Sequence, residues 1–319
     1  MKRDIHIIIN KSEITAGTRG ASLGPEAVMT AARNKGSMLF GDYPIEYLPH
    51  FNHLLDRPIK FPYAKRIEGL VQVFSTVSEC VQRHLEQKQF PLLLASDHGS
   101  AGGTIAGICA AYPDKRLGVI WIDAHGDLHT PYTTPSGNMH GMPLATALSE
   151  DNRECQINDL HPDVYTHWEK LKHTGIAKQK IRPEDLVFIA VRDTEPEEDA
   201  IIERLKIKNH TVDEIRTKGK ETIMKEVMEQ LADCDIIYVS FDVDSMDPKF
   251  TSHGTGTPVD HGLMPEEAHY FLEQLAKNER TVCMEFVEVN PCLDEKINTM
   301  AEVTFDLFEA TITSLGTNK

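Results

Sequence analysis

Two short acidic segments each follow an apolar run of residues. The run 117–122 leads into Asp-Ala-His-Gly-Asp at 123–127, and the run 236–241 leads into Asp242 and Asp244. Apolar runs of this length are typical of buried strands in a parallel sheet. The carboxyl ends of such strands meet at one edge, where open α/β sheets bind ligands. Together the two segments therefore predict a site that gathers carboxylates and an imidazole, which are ligands for metal ions.

The spacing within the first segment favours convergence of its side chains. Asp123, His125 and Asp127 stand at every second residue, and side chains along a strand alternate between its two sides. If the strand continues through the segment, all three point the same way. His98, at the end of the apolar run 91–95, is a sixth candidate ligand. Taken singly, an aspartate near a turn or a buried histidine has an ordinary structural explanation.

Four carboxylates in one pocket repel one another strongly unless cations are present. Two divalent ions would balance that charge, with Asp123 and Asp242 in positions to bridge them. An oxygen-rich ligand set with one imidazole per ion favours Mn²⁺ over Zn²⁺, with cobalt and iron as the alternatives. Two ions about 3.5–4 Å apart lower the pKa of a shared water toward about 7. The predicted chemistry is therefore hydrolysis by hydroxide.

The composition excludes several other classes of protein. The chain has 319 residues, with 33 basic and 49 acidic side chains and a formal net charge of −16. We expect no nucleic-acid partner, because such proteins normally present a basic face, and the negative charge favours a cationic substrate. No run approaches the roughly 20 apolar residues that span a membrane. The N-terminal residues lack a signal-peptide pattern and the cysteines show no CxxC spacing, so we expect a cytoplasmic protein without membrane association.

Apolar runs alternate with helical patterns along the chain, which predicts a parallel sheet covered by helices on both faces. No linker or repeat divides the sequence, so we expect one α/β domain over residues 1–319. The predicted strands are 4–10, 45–49, 91–95, 117–123, 185–191, 209–213, 235–242 and 281–287. The predicted helices include 25–34, 64–87, 217–232 and 265–277. The longest irregular segments are 130–140, 152–163 and 250–264.

Two further residues could take part in catalysis near the acidic strand ends. His140 lies in the polar loop Ser-Gly-Asn-Met-His-Gly at 136–141, and an imidazole exchanges protons near neutral pH. Glu288 follows the predicted strand 281–287, and a carboxylate there can pair with a planar cation. Each of them also has an ordinary reading as a solvated loop residue.

These motifs together resemble those of the ureohydrolase family, and within it those of the arginases. The shared segments are Asp-Ala-His-Gly-Asp at 123–127, the loop 136–141, Ser-Phe-Asp-Val-Asp at 240–244, Asp-Pro at 247–248 and Glu-Val-Asn-Pro at 288–291. Gly-Thr-Arg-Gly at 17–20 and Leu-Gly-Pro at 23–25 are similar to the opening loop of the family. The segments occur in matching order from about residue 5 to 310, so the resemblance covers nearly the whole chain.

The resemblance implies a three-layer α/β/α domain with an eight-stranded, mostly parallel sheet and a binuclear manganese cluster. One ion would be held by His98, Asp123, Asp127 and Asp242, and the other by His125, Asp123, Asp242 and Asp244. The implied reaction is the hydrolysis of L-arginine to L-ornithine and urea by a hydroxide that bridges the ions. The implied catalytic residues are Asp127, His140, which shuttles a proton, and Glu288, which holds the guanidinium. The family also implies a homo-oligomer, either a trimer or a hexamer.

The implied substrate-binding residues are Ser136, Asn138, His129, Glu195, Glu198 and Thr257. The chain departs from the family here: His129 replaces an asparagine, Glu195 replaces an aspartate, and the segment 252–256 is one residue longer. The turn 95–99 also differs from the usual Gly-Gly-Asp-His-Ser. Two alternatives therefore stay open, namely a ureohydrolase that acts on agmatine, a guanidino acid or formiminoglutamate, and a non-catalytic metal-binding scaffold. Donors for a substrate carboxylate favour arginine over agmatine, and the complete ligand set speaks against a scaffold.

Overall fold

The backbone forms one parallel sheet with helices packed on both of its faces. The computed structural model describes residues 3–176 and 178–316. The strands are β1 (Ile5–Asn10), β2 (Ile45–Tyr47), β3 (Phe90–Ala95), β4 (Leu117–Ile122), β5 (Leu186–Ile189), β6 (Lys208–His210), β7 (Ile236–Asp242) and β8 (Thr281–Val287). The helices are α1 (Gly24–Asn34), α2 (Leu39–Asp42), α3 (Ile67–Glu86), α4 (Ala101–Ala111), α5 (Pro143–Leu148), α6 (Pro162–His173), α7 (Pro196–Leu205), α8 (Val212–Lys218), α9 (Lys220–Gln230), α10 (Pro265–Lys277) and α11 (Thr299–Gly316).

The strands all run parallel, in the order β2-β1-β3-β8-β7-β4-β5-β6. Every residue of β4 is buried. Its sequence is apolar on both sides because helices cover both faces of the sheet. One apolar layer joins the sheet to α1, α8, α9, α10 and α11, and the other joins it to α3, α4, α5, α6 and α7. The predicted α/β class and three-layer domain are confirmed.

All eight predicted strands are present, but two predicted element boundaries are wrong. The strand predicted at 209–213 ends at His210, because Thr211 caps α8 and forms a reciprocal capping box with Glu214. The helix predicted at 217–232 is two helices, α8 and α9, separated by Gly219 at a φ of 89°. A glycine adopts this backbone conformation at little cost, and a helix cannot continue through it.

Two other predicted boundaries differ from the structure by fewer residues. The helix predicted at 64–87 begins at Ile67, after Arg66 with a φ of 58°. The segment 152–163, predicted to be irregular, contains a short 3-10 turn and the start of α6 at Pro162. The predicted domain limits, residues 1 and 319, lie outside the described residues, so they stay predictions.

The strand order brings the carboxyl ends of β3, β8, β7 and β4 next to one another at one edge of the sheet. The polar residues that follow these four strands therefore lie side by side. This arrangement is usual at the ligand sites of parallel α/β sheets. Within residues 3–176 and 178–316, none of the helices combines the length and the apolarity needed to cross a membrane.

Candidate active site

The first group of candidate ligands surrounds His98, which lies just beyond β3. The Nδ1 atom of His98 lies 3.0 Å from Asp123 Oδ2, 3.2 Å from Asp127 Oδ2 and 3.2 Å from Asp242 Oδ2. On the other side of the ring, Nε2 lies 2.7 Å from the hydroxyl oxygen of Ser240. Trp121 stacks on the ring with centroids 4.0 Å apart. These contacts fix the ring so that Nδ1 faces the three carboxylates, as second-shell contacts do for metal-binding histidines.

The second group surrounds His125. Its Nδ1 atom lies 3.2 Å from Asp244 Oδ2 and 3.5 Å from Asp123 Oδ1. Asp193 Oδ2 lies 3.6 Å from the other ring nitrogen. Asp123 therefore faces the first group with Oδ2 and the second group with Oδ1, which is the geometry required of a ligand shared by two ions. The six predicted metal-ligating side chains are thus brought together, and Asp242 joins the first group through its contact with His98.

The backbone conformation that brings the side chains of the first acidic segment together differs from the prediction. Strand β4 ends at Ile122, and Asp127 has a φ of 49°, so the segment does not continue as a strand. Instead, the N–H of His125 donates to Asp123 Oδ1 at 2.7 Å. The N–H of Asp244 donates to Asp242 Oδ1 at 2.9 Å in the same way. Turns held by the aspartate side chains, and not strand alternation, therefore aim these ligands.

The two ligand groups fit two divalent cations. Among the described residues, His98 Nδ1 and Asp123 Oδ2 are both buried 3.0 Å apart, and neither has a hydrogen-bond partner when Nδ1 carries no proton. Buried polar atoms are almost always satisfied in native proteins, and a cation between these two atoms would satisfy both. Each group combines one imidazole with carboxylates, which is a donor set that binds first-row divalent metals.

Protons take the place of cations in the metal-free chain. Burial and neighbouring carboxylates raise the pKa of Asp127 and of Asp242 well above the usual value for aspartate. Burial lowers the pKa of His98 and of His125, but the adjacent aspartates raise it by more, so both pKa values end above the usual value for histidine. The metal-free cluster therefore retains protons at neutral pH, and metal ions must displace them.

We expect the affinity of the metal-free protein for Mn²⁺ to rise with pH. Each displaced proton contributes about a tenfold gain in affinity per pH unit, so binding at pH 8 should be at least about a hundredfold tighter than at pH 6. Competition with a chelator at both pH values measures this change. Calorimetry in two buffers that differ in ionisation enthalpy counts the protons released. An affinity that is equal at both pH values would contradict the protonated cluster.

The predicted proton shuttle and guanidinium ligand lie beside the first metal group. The N–H of His98 donates to Glu288 Oε1 at 2.8 Å, and His140 Nδ1 lies 3.3 Å from the same oxygen. Glu288 has a φ of 69°, an uncommon value for a residue other than glycine. Burial lowers the pKa of His140, but Glu288 and Asp127 raise it by more, so that its pKa lies above the usual value for histidine. This shift favours the protonated form of His140.

A cavity of about 270 Å³ opens above the ligands. The predicted substrate-binding residues all line it, namely His129, Ser136, Asn138, Glu195, Glu198 and Thr257. On one wall, His129 Nε2 lies 3.0 Å from Glu195 Oε2 and 3.7 Å from Glu198 Oε2. On the other, the N–H of Asn138 donates to the Ser136 hydroxyl at 3.2 Å. The hydroxyl of Thr257 donates to Asp244 Oδ2 at 3.1 Å, so it contacts a metal-ligating side chain.

The sequence analysis missed several residues of this site, among them Asp193, which lines the cavity and lies 3.6 Å from His125 Nε2. Ser240 orients His98, and its position two residues before Asp242 in β7 was a usable signal, because both side chains point to the same side of the strand. The Nζ of Lys65 donates to Asn138 Oδ1 at 3.0 Å. Thr134 also lines the cavity. Thr134 lies in the segment 130–140 that was predicted to be irregular, whereas no local pattern marks the contact of Lys65 with Asn138, because only the fold brings these two residues together.

The fold carries two groups of candidate metal ligands at the base of its cavity. The model of the arginase family matches residues 3–312. The chain is 34% identical to the arginase of Bacillus subtilis over 97% of its own length and 98% of that protein. The crystal structure of Bacillus caldovelox arginase superimposes with a TM-score of 0.80 at 34% identity, covering 98% of both chains. That of Bacillus cereus arginase superimposes with a TM-score of 0.81 at 31% identity, again covering 98% of both chains.

The chain therefore belongs to the arginase family. It is a hydrolase of the ureohydrolase type, which acts on guanidino carbon–nitrogen bonds. The family implies a binuclear metal centre, and the two groups around His98 and His125 are its candidate ligands.

Proposed function

We propose that the chain hydrolyses L-arginine to L-ornithine and urea with two Mn²⁺ ions. The observation that carries this proposal is the position of Asp123, whose two oxygens face two ligand groups at the base of a cavity with acids on one wall and amide and hydroxyl groups on the other. When bound, the ions would activate a shared water as hydroxide and offset negative charge that develops during the attack.

Glu288 and His140 would act on the guanidino end of the substrate. Glu288 is 4% exposed, and its Oε1 is held by the N–H of His98, so its carboxylate stays fixed beside the metal groups. A fixed carboxylate pairs well with a planar guanidinium. His140 lines the cavity, and its contact with Glu288 favours the protonated form of its ring. It would deliver that proton to the departing amine.

The other end of the cavity would bind the amino-acid part of arginine. Glu195 and Glu198 provide acceptors for an α-ammonium group, while Ser136 and Asn138 provide donors for an α-carboxylate. Lys65 donates to Asn138 Oδ1, which leaves the NH₂ of that amide as the free donor. Agmatine has no carboxylate, so these donors would lose a partner if agmatine were bound.

We expect Asn138→Ala to weaken arginine turnover selectively. Loss of a hydrogen bond to a carboxylate costs about 1.5–3 kcal/mol, so kcat/KM for L-arginine should fall about tenfold to a hundredfold. Any turnover of agmatine should change by less than about threefold, because the lost donor has no partner there. Urea release from both substrates by the Mn²⁺-loaded protein measures the effect. Lys65→Met should give a smaller loss with the same selectivity, and an equal loss for both substrates would contradict the carboxylate assignment.

A guanidino acid without an α-amino group is the second candidate substrate. It is favoured by the 3.0 Å contact between His129 and Glu195, which already occupies one acceptor of the acidic wall. A hydrogen bond from His129 lowers the pKa of Glu195, consistent with a firm pair. Urea release from 4-guanidinobutyrate and from L-arginine, measured in parallel, decides between the two candidates. Higher kcat/KM for the guanidino acid would favour the second.

The proposed assembly is a homo-oligomer, either a trimer or a hexamer, in the cytoplasm. Support for it comes from the family resemblance. Light scattering on the purified protein measures the mass in solution, and a monomer would contradict this part of the proposal.

A further inference from the structure

A second type of ligand cluster lies at edge strand β2 of the sheet, whereas the active site lies beyond the central strands. Glu46 of β2 and Cys80 and His84 of α3 place a carboxylate oxygen, a thiol sulfur and a ring nitrogen within 4.8 Å of one another. Cys80 and His84 are 4% and 6% exposed. None of the three lines the active-site cavity. Among the candidate ligand groups of the described residues, it alone contains a cysteine.

The local structure explains why the three side chains meet. Cys80 and His84 are four residues apart on α3, and residues with this spacing lie on the same face of a helix. Helix α3 packs over the face of the sheet near its edge, and Glu46 sits on the edge strand, in register with Ile8 of β1. The cluster therefore links a helix to edge strand β2, which pairs with β1.

The ring of His84 is held as in a metal-binding histidine. Its Nδ1 lies 2.7 Å from Gln89 Oε1, and its Nε2 lies 2.9 Å from Glu46 Oε2. A neutral imidazole has only one N–H, so it cannot donate to both oxygens. A cation at Nε2 resolves this contact, as does a rotated Gln89 amide whose NH₂ donates to Nδ1 while Nε2–H donates to Glu46. With a metal ion there, Nδ1–H donates to Gln89, which is the usual second-shell arrangement of a histidine ligand.

A cation already occupies part of the cluster. Arg83 donates Nη2 to Glu46 Oε1 at 2.6 Å and to Cys80 Sγ at 3.4 Å. The carboxylate and the sulfur thus face a common position that attracts positive charge. The Arg83 side chain is 48% exposed, so it can move into solvent when another cation enters.

We propose that Glu46, Cys80 and His84 form a binding site for Zn²⁺ or a similar thiophilic divalent cation. One sulfur, one nitrogen and one oxygen ligand suit zinc, with solvent as the fourth ligand. The charges balance, because a thiolate and a carboxylate together neutralise a divalent ion. Burial raises the pKa of the Cys80 thiol to about 11, so binding releases the thiol proton to solvent as the metal–sulfur bond forms. The bound ion would attach edge strand β2 to α3 and stabilise the folded chain.

Cobalt distinguishes this site from the active site, because a thiolate ligand gives Co²⁺ an intense near-ultraviolet charge-transfer band. The active-site ligands are histidines and aspartates only, so they cannot give this band. The experiment is a Co²⁺ titration of the reduced, metal-stripped full chain. We expect three equivalents to bind and the thiolate band to reach full intensity with one of them. Two equivalents without a band would overturn the proposal and leave the cluster as an ion-pair network.

Matched variants assign the band to the cluster. Cys80→Ser should abolish the band and reduce the stoichiometry by one, whereas Cys109→Ser should change neither. Cys109 is also buried on a neighbouring helix, but its thiol donates to the carbonyl of Lys180 and belongs to none of the ligand groups of the described residues. Gln89→Ala leaves all three ligands in place and should weaken cobalt at this site about tenfold. A band that persists in Cys80→Ser, or an affinity unchanged by Gln89→Ala, would overturn the assignment.

Discussion

Asp123→Asn is expected to remove both metal ions and to lower urea release from L-arginine at least about a thousandfold, or about 4 kcal/mol. The reason is that Asp123 contributes one oxygen to each ligand group and is 1% exposed, so no solvent ligand can replace it easily. Asparagine preserves the size of the side chain but supplies neither the charge nor the second oxygen. The metal content of the purified variant and kcat/KM with added Mn²⁺ measure the two effects.

Asp193→Asn is the matched control for this change. Asp193 lines the same cavity and lies 3.6 Å from His125 Nε2, but its side chain is 64% exposed and belongs to neither ligand group. We expect this variant to bind two ions and to lose no more than about tenfold in kcat/KM, the lower range for an outer-shell contact. If Asp123→Asn keeps two ions and its activity, Asp123 is not the shared ligand and the binuclear arrangement is wrong.

Glu288→Gln is expected to lower kcat/KM for L-arginine at least about a hundredfold, because a neutral amide replaces the carboxylate proposed to pair with the guanidinium. The same change removes the carboxylate whose hydrogen bond raises the pKa of His140. That pKa should therefore fall in the variant. A proton donor is lost as pH rises through its pKa, so activity should decline at a lower pH than in the unmodified protein.

Two measurements separate this effect from damage to the metal centre. Glu288 belongs to neither ligand group, so the variant should still bind two Mn²⁺ ions. Glu295→Gln provides a control in the following loop, where the carboxylate accepts from the N–H of exposed His253, and it should leave turnover unchanged. Loss of metal from Glu288→Gln, or full activity with L-arginine, would contradict the role proposed for Glu288.

The sequence was sufficient to predict the sheet and the six candidate ligands because their signals are local. Apolar runs that are buried on both faces predict parallel strands, and His98, Asp123 and Asp242 each stand at or just after such a run. Short-range details were harder to predict. Strand alternation predicted the right convergence for the wrong reason, since Asp127 has a φ of 49° and a turn held by the Asp123 side chain replaces the strand.

The side-chain contacts in the walls of the cavity could not be predicted from the sequence. The contact between His129 and Glu195 joins residues 66 positions apart, and the contact between Lys65 and Asn138 joins residues 73 positions apart. Side-chain pairs at such separations depend on the packing of whole elements, and a single sequence carries no local pattern for them. The structure therefore adds most at the cavity walls, where His129 and Glu195 depart from the family pattern.

The most direct test of the proposed function is the release of urea and L-ornithine from L-arginine by metal-stripped protein, before and after it is reloaded with Mn²⁺. We predict no turnover by the stripped protein. After reloading, activity should rise to a plateau at two equivalents of Mn²⁺ in the active site, with urea and ornithine formed in equal amounts. Turnover by the stripped protein, or two bound Mn²⁺ ions with no urea from L-arginine, would contradict the account.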